Sequence, residues 1–192
     1  RLLLAFLAGA RRGGAVRATD ARARGLERSG ARWRIETAAG RFEADVVVNA
    51  AGAWADEVAA LAGTRPRGVQ PLRRTMVVAD LGVPVDPGLP VVFDVAGSFY
   101  FKPDAGMIWV SPHDETPVPP SDVQPEELDI AVAVDRFERA TTAMVRRVAR
   151  AWAGLRSFAP DRLPVYGFAP GAPGRAVSAC RPRRRRGRWR RR

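Results

Sequence analysis

The sequence predicts an α/β fold with an α+β portion, and two stretches carry that prediction. Residues 45–54 read D-V-V-V-N-A-A-G-A-W. Three consecutive β-branched residues, Val46, Val47 and Val48, make the short apolar run expected of a strand buried on both faces. Asn49 ends it, and Ala50, Ala51 and Gly52 leave the backbone bare, with Gly52 free to take positive φ. A helix over 54–61 follows, with Val58 and Leu61 spaced for one face. A strand that runs through a small-residue turn into a helix presents its turn beyond the carboxyl edge of a sheet, where open α/β folds hold ligands. The second stretch is 91–111, where three short strands (91–94, 98–102 and 107–111) alternate with tight turns at 95–97 and 103–106. That pattern is an antiparallel meander.

The remaining elements follow from local signals. Residues 1–14 read as a helix with Leu3, Leu4 and Leu7 on one side and Gly13-Gly14 as its stop. Residues 15–18 are weakly patterned. Strands at 23–28 and 32–37 flank the Ser29-Gly30 turn, placing Trp33 and Ile35 on one face, and 41–43 is a further short strand. The segment 62–68 is turn-rich and marks a boundary. Residues 69–80 form a strand in which Arg73 and Arg74 must point to opposite faces, so that only one addresses a given pocket and the other is solvated. A proline-rich loop spans 82–90, and a longer one with four prolines spans 111–124. His113 in that loop has no partner pattern and reads as a surface residue outside the chemistry. A helix at 126–141 follows Pro125, with acidic residues in its first turn. Leu128, Val132, Asp135 and Phe137 give it an indifferent stripe suited to covering a sheet. In 98–102, Tyr100 faces away from Phe99 and Phe101; if the phenylalanines fill a core, the phenol faces a cavity or solvent.

Composition limits the functional classes. A chain of 192 residues, 46% hydrophobic, can bury a substantial core. No apolar run approaches the ~20 residues that span a bilayer. One cysteine, Cys180, and one histidine exclude an internal disulfide and a Cys/His zinc site, and a cytoplasmic setting is the expectation. The net charge of +12 suggests nucleic acid, yet nine arginines lie within 181–192, and setting them aside leaves +3 for the rest.

The run V-V-V-N-A-A-G-A-W (46–54) resembles the second flavin-contacting segment of the D-amino-acid oxidase-like (DAO) family of FAD-dependent oxidoreductases. The likeness continues in G-S-F-Y-F-K-P-D-A-G (97–106), in W-A-G-L-R-S-F (152–158) and, with Arg162 for glycine and Tyr166 for an aliphatic residue, in D-R-L-P-V-Y-G (161–167). The later segments are most similar to the D-arginine dehydrogenase branch. The resemblance implies a partial FAD/NAD(P)-binding Rossmann-like domain with an inserted antiparallel-sheet substrate domain: residues 1–66 and 161–174 in the flavin-binding part, 67–160 in the substrate part. It implies that Arg156 clamps a substrate carboxylate, aided by Arg74, and that Tyr100 positions it. Planar guanidinium offers two parallel donors to a carboxylate where lysine offers a point charge. Ala23, Asn49, Ala50, Ala51, Gly52 and Trp54 are the implied FAD contacts. The implied reaction is hydride removal from the α-carbon of a D-amino acid or related amine, with no metal and no specific nucleic-acid partner.

After Gly174 the expected apolar strand and A-G-Q-G-G turn give way to arginine-rich sequence. A one-base shift of TGC CGG CCA AGG CGG, a possible coding of residues 180–184, reads A-G-Q-G-G. The expectation is therefore a frameshifted, disordered tail at 175–192. The chain also has no G-x-G-x-x-G turn to cradle a pyrophosphate, and so reads as the middle and late portion of an enzyme. The competing expectations are sequence-blind nucleic-acid attraction through the tail and an inactive fragment.

Overall fold

A computed structural model describes residues 2–169 and 176–178. Helix α1 (Leu2–Arg12) leads into irregular chain and then an antiparallel sheet of β1 (Ala23–Ser29), β2 (Arg32–Thr37) and β3 (Gly40–Ala44). The apolar residues expected in α1 are present but stand in solvent: Leu2, Leu3, Leu4 and Phe6 are 68–72% exposed. In the hairpin, Leu26 opposite Ile35 and Arg28 opposite Trp33 share one face. Leu26 and Trp33 are buried there, with Ala23, Ile35, Val47, Ala62 and Ala169 packed around them. The face shared by Trp33 and Ile35 is thus a small core.

The central run forms β4 (Val47–Asn49), a single 3₁₀ turn (Gly52–Trp54) and α2 (Ala55–Leu61). Burial on both faces does not hold, because Val46 is 41% and Val48 59% exposed. The described partner of β4 is β11 (Ala176–Ser178), which lies parallel with Val47 beside Ala176 and Asn49 beside Ser178. Only Val47 is packed, against the core of Leu26 and Trp33, so the β-branched run marks a strand covered on one face and left exposed on the other. β11 also places a strand inside the segment expected to be disordered; the remainder of 175–192, including the arginine-rich run, falls outside the described residues.

Asp56 ties this unit to the next strand. Its carboxylate accepts the backbone N–H groups of Arg67 and Val69, both at 2.8 Å, and so directs the chain into β5 (Gln70–Asp80). The meander comes after it as β6 (Val92–Phe93), β7 (Tyr100–Asp104) and β8 (Met107–Ser111), then the two-residue β9 (Thr116–Pro117), α3 (Glu127–Ala140) and β10 (Arg147–Phe158). These strands make one antiparallel sheet in the order β10-β5-β8-β7-β6, with β9 also on β5.

One face of this sheet is the main core. Val77, Ala79, Phe101, Ile108 and Val110 meet Ala133 and Phe137 of α3, with Phe101 edge-on to Phe137 at 5.1 Å between ring centres. The helix packs through Ile130, Ala133, Val134 and Phe137, while Leu128, expected on the packed stripe, is 70% exposed. Leu128 lies one position off the i, i+3, i+4, i+7 row that starts at Ile130, and aligned burial decides over hydrophobicity alone. Arg73, expected in solvent, is 6% exposed. It points at α3, pairing with Glu126 and, at 2.9 Å, with Asp129. Those carboxylates, Glu126 foremost, hold its guanidinium above the ordinary arginine value, and Arg73 in turn draws Glu126 below the usual carboxylate range. Two neighbouring arginines do face opposite ways, but both faces are occupied.

Candidate active site

The face of the sheet away from α3 carries the candidate substrate residues. Register places Arg156 beside Leu72, Gly154 beside Arg74 and Trp152 beside Met76, so all six lie on the side away from α3. Gly154 matters here because a Cβ at that position would meet nothing within 4 Å, leaving the space over the sheet next to Arg74 open. Further along the same face Trp109 and Trp152 make an edge-to-face pair at 4.9 Å across β5. Lys102 sits 4.7 Å over Trp109 and Arg150 5.5 Å over Trp152.

Arg74 is fixed before any ligand arrives. Its Nε donates to the Asp114 carbonyl at 2.7 Å and its Nη2 to Glu115 at 3.2 Å. Burial pushes its pKa down from the usual arginine value, opposed by Tyr100, Glu115 and Asp114 and reinforced by the like charge of Arg156. Those influences put Arg74, Tyr100 and Arg156 in one electrostatic neighbourhood. Arg156 is half-buried and makes no ion pair with any described residue. Tyr100 stacks on Phe93 at 5.1 Å, while Phe99 and Phe101 go to the core. The expected split between phenol and phenylalanines is what β7 displays.

The loop after β8 holds what the sequence reading missed. Asp114 accepts from the Thr75 backbone N–H at 2.8 Å and from its hydroxyl at 2.9 Å. Glu115 joins Arg74 to Arg162, whose Nη1 lies 2.8 Å away. Arg162 stands at φ 60°, so the glycine expected at that turn is replaced by a residue held left-handed and paired. His113, expected on the surface, is half-buried and bonded to the Gly97 carbonyl, with its ring edge-on to Tyr100 at 5.7 Å. The only sequence signal was proximity to the meander; its partners, Gly97 and Tyr100, lie sixteen and thirteen residues upstream.

The bare bend is close by, along the edge strand. Ala50, Ala51, Gly52, Ala53 and Trp54 line a groove of about 430 Å³ with Ser121, Asp122, Val123, Ala153, Gly154, Leu155 and Ser157. Gly52 has φ 58°, and a Cβ there would meet nothing within 4 Å, so the main chain is open to close approach. Asn49 does not present its side chain to this groove. Its amide donates to the Ala55 carbonyl at 2.7 Å and accepts from the Ala51 N–H at 3.3 Å, which shapes the bend instead. Ala23 packs with Leu26 and Trp33, apart from the groove. Arg156 is flanked in sequence by Leu155 and Ser157, which line the groove, while alternation directs its own side chain to the face away from α3. The groove and the Arg74–Tyr100–Arg156 face therefore meet along β10. Among the described residues no cluster of metal-ligating side chains occurs, and no helix is long and apolar enough to cross a membrane.

Comparison with known proteins gives this geometry its context. The chain is 33% identical over 117 residues to human mitochondrial dimethylglycine dehydrogenase, a stretch covering 59% of the chain and 13% of that protein. L-proline dehydrogenase from P. horikoshii superposes with a TM-score of 0.76 at 21% identity, over 92% of this chain and 48% of that one. Glycine oxidase from Geobacillus kaustophilus superposes with a TM-score of 0.66 at 22% identity, over 83% of this chain and 42% of that one. The chain thus spans less than half the length of each, and the structural likeness speaks to fold. The family model described as FAD dependent oxidoreductase, DAO, matches residues 1–184 and so runs past Gly174, where the pattern was expected to break. With nearly the whole chain matched, it belongs to the DAO family of FAD-dependent oxidoreductases.

Proposed function

We propose that this chain forms the substrate sheet and one flavin-contacting bend of an enzyme that oxidises the Cα–N bond of an amino acid or related amine. The observation that carries the reading is Arg156: a half-buried guanidinium without an ion pair among the described residues, within electrostatic reach of Arg74 as Tyr100 also is, on a strand whose neighbouring Leu155 and Ser157 line the bare-backbone groove. Such a group is costly to leave uncompensated in a partly dry site, and a substrate carboxylate is its natural complement.

The groove suits one edge of FAD, since the open Cβ position at Gly52 and the small residues around it leave room for a flat ligand against the main chain. Ala50, Ala51, Gly52 and Trp54 would hold it there. When bound, FAD supplies the hydride acceptor. Arg156 holds the carboxylate, Arg74 adds a prepositioned second cation, and Tyr100 offers a ring to apolar atoms and a hydroxyl to carboxylate or amine. In the finer reading the substrate is a D-amino acid, with Arg74 as the residue that favours the D-arginine dehydrogenase branch.

The test uses flavin-loaded protein carrying this chain. Arg156→Lys keeps the charge and removes the planar fork, so kcat/KM for a D-amino acid should fall by roughly 10- to 100-fold with flavin content unchanged. An unchanged kcat/KM would remove Arg156 from the site. Comparing D-arginine, D-alanine, their L-enantiomers and N-methylated glycines decides the substrate class, and faster turnover of the achiral or L-compounds would overturn the finer reading.

A further inference from the structure

We propose that His113 is a positioning residue for Tyr100: its imidazole, clamped to the Gly97 carbonyl, sets the angle at which the phenol enters the substrate face. For its catalytic consequence this rests on the amine-oxidising reading above; for its structural part it stands on geometry alone.

Four features converge on His113. Its backbone lies in the left-handed region at φ 58°, uncommon for a residue other than glycine though histidine is among those that enter it more readily. The Ser111 hydroxyl oxygen accepts its N–H at 3.2 Å, and Ser111 is fully buried. Nδ1–H donates to the Gly97 carbonyl, which fixes the tautomer and the ring plane. The ring edge then meets Tyr100 at 83° and 5.7 Å, while Phe93 stacks on the same phenol at 28° and 5.1 Å. The phenol is thus oriented by one stacked ring and one edge-on ring, and only the edge-on ring is anchored to a second loop.

That second loop is itself held. Arg136 of α3 donates through Nη1 to the Ser98 carbonyl and, at 2.7 Å, to the Pro112 carbonyl, joining the two loops on either side of the His113–Gly97 bond. The charged groups on the surrounding elements are engaged in the same scaffold: Asp94 with Ser98, Asp114 with Thr75, Glu115 with Arg74 and Arg162. Nothing in this arrangement puts His113 on the reacting atoms, so its influence passes through Tyr100.

Two variants separate the contributions. His113→Asn tolerates the left-handed backbone and keeps a donor but removes the ring; His113→Phe restores an aromatic edge without the bond to Gly97. In flavin-loaded protein, with acetate as the carboxylate probe and flavin absorbance as the readout, His113→Asn should weaken binding roughly fivefold. His113→Phe should recover part of that loss, and in a Tyr100→Ala background His113→Asn should change nothing further. A second measurement uses the 192-residue chain itself, which contains one histidine and two tyrosines. With ring-labelled tyrosine, His113→Asn should shift the Tyr100 resonances and leave those of Tyr166, 71% exposed, in place. Unchanged Tyr100 resonances, or losses that add fully to those of Tyr100→Ala, would overturn the proposal. Should wild-type protein bind no carboxylate, the functional reading falls, and the tyrosine resonances decide the positioning role without it.

Discussion

Arg73 and Arg74 show how much one residue of register decides. The same side chain type at adjacent positions becomes a strut to α3 in one case and a cation held by the Asp114–Glu115 loop on the other face in the second, because β-strand alternation sends them to opposite sides. Asp94 is a comparable single-residue device. It accepts the Ser98 hydroxyl at 2.7 Å and backbone N–H at 3.0 Å, closing the turn that leads to Tyr100, and those bonds hold its carboxyl below the usual aspartate range. A depressed folded-state pKa means the unfolded chain binds the proton more readily. The stabilisation is therefore complete above the unfolded value of about 3.9 and is lost as pH falls through the lower folded value. Urea midpoints of wild type and Asp94→Asn should differ at pH 6 and converge as pH drops below about 4. A gap that stays constant with pH would mean that the turn does not depend on the ionised carboxylate.

Among the elements, β5 does the most. It pairs with β10, β8 and β9, contributes Val77 and Ala79 to the core, and sends Leu72, Arg74, Met76 and Val78 to the other face. Its alternation was readable in the sequence, as was the meander with its phenylalanines inward and its tyrosine outward. The partner of Arg73 was not, since Glu126 and Asp129 lie more than fifty positions away and reach it only through the packing of α3. Arg73 is 7% and Asp129 17% exposed at the side chain. Removing the cation leaves a partly desolvated carboxylate, so Arg73→Met should destabilise by about 3 kcal/mol in denaturant titrations. Arg73→Met combined with Asp129→Leu should recover most of that loss, because the pair's attraction mainly offsets its own desolvation. A double variant as unstable as the single would point to packing of the arginine stem instead.

At the scale of the molecule, the chain has a small core under Trp33 and a larger one under α3, joined through the segment that Asp56 holds. One carboxylate satisfies two backbone donors at this junction, and its loss orphans both. Asp56→Ala should therefore cost about 2–3 kcal/mol and loosen the small core from the large one. In a thermal scan read at a Trp33 probe and at a Phe137 probe, the two transitions should separate in the variant. Coincident transitions would show that other contacts couple the halves. The groove between the bend and β10 spans the same junction; on the proposal that FAD lies in it, flavin retention should fall in parallel with this coupling.

Sequence alone determined the elements whose signals are local. The hairpin with its glycine turn, the small-residue bend after three valines, the alternation of 99–101 and the adjacency of Arg73 and Arg74 all follow from period and backbone permissiveness, which depend on neighbours within a few residues. Likeness to a family added the candidate roles of Arg156, Arg74 and Tyr100, but not their company. Tertiary structure decided which strand is covered, leaving Val48 in solvent and burying Arg73, and it brought His113 to Tyr100 and Glu115 to both Arg74 and Arg162. Those outcomes depend on which surfaces remain to be buried once the sheet has formed and α3 has packed, a long-range condition to which no run of a few residues is sensitive.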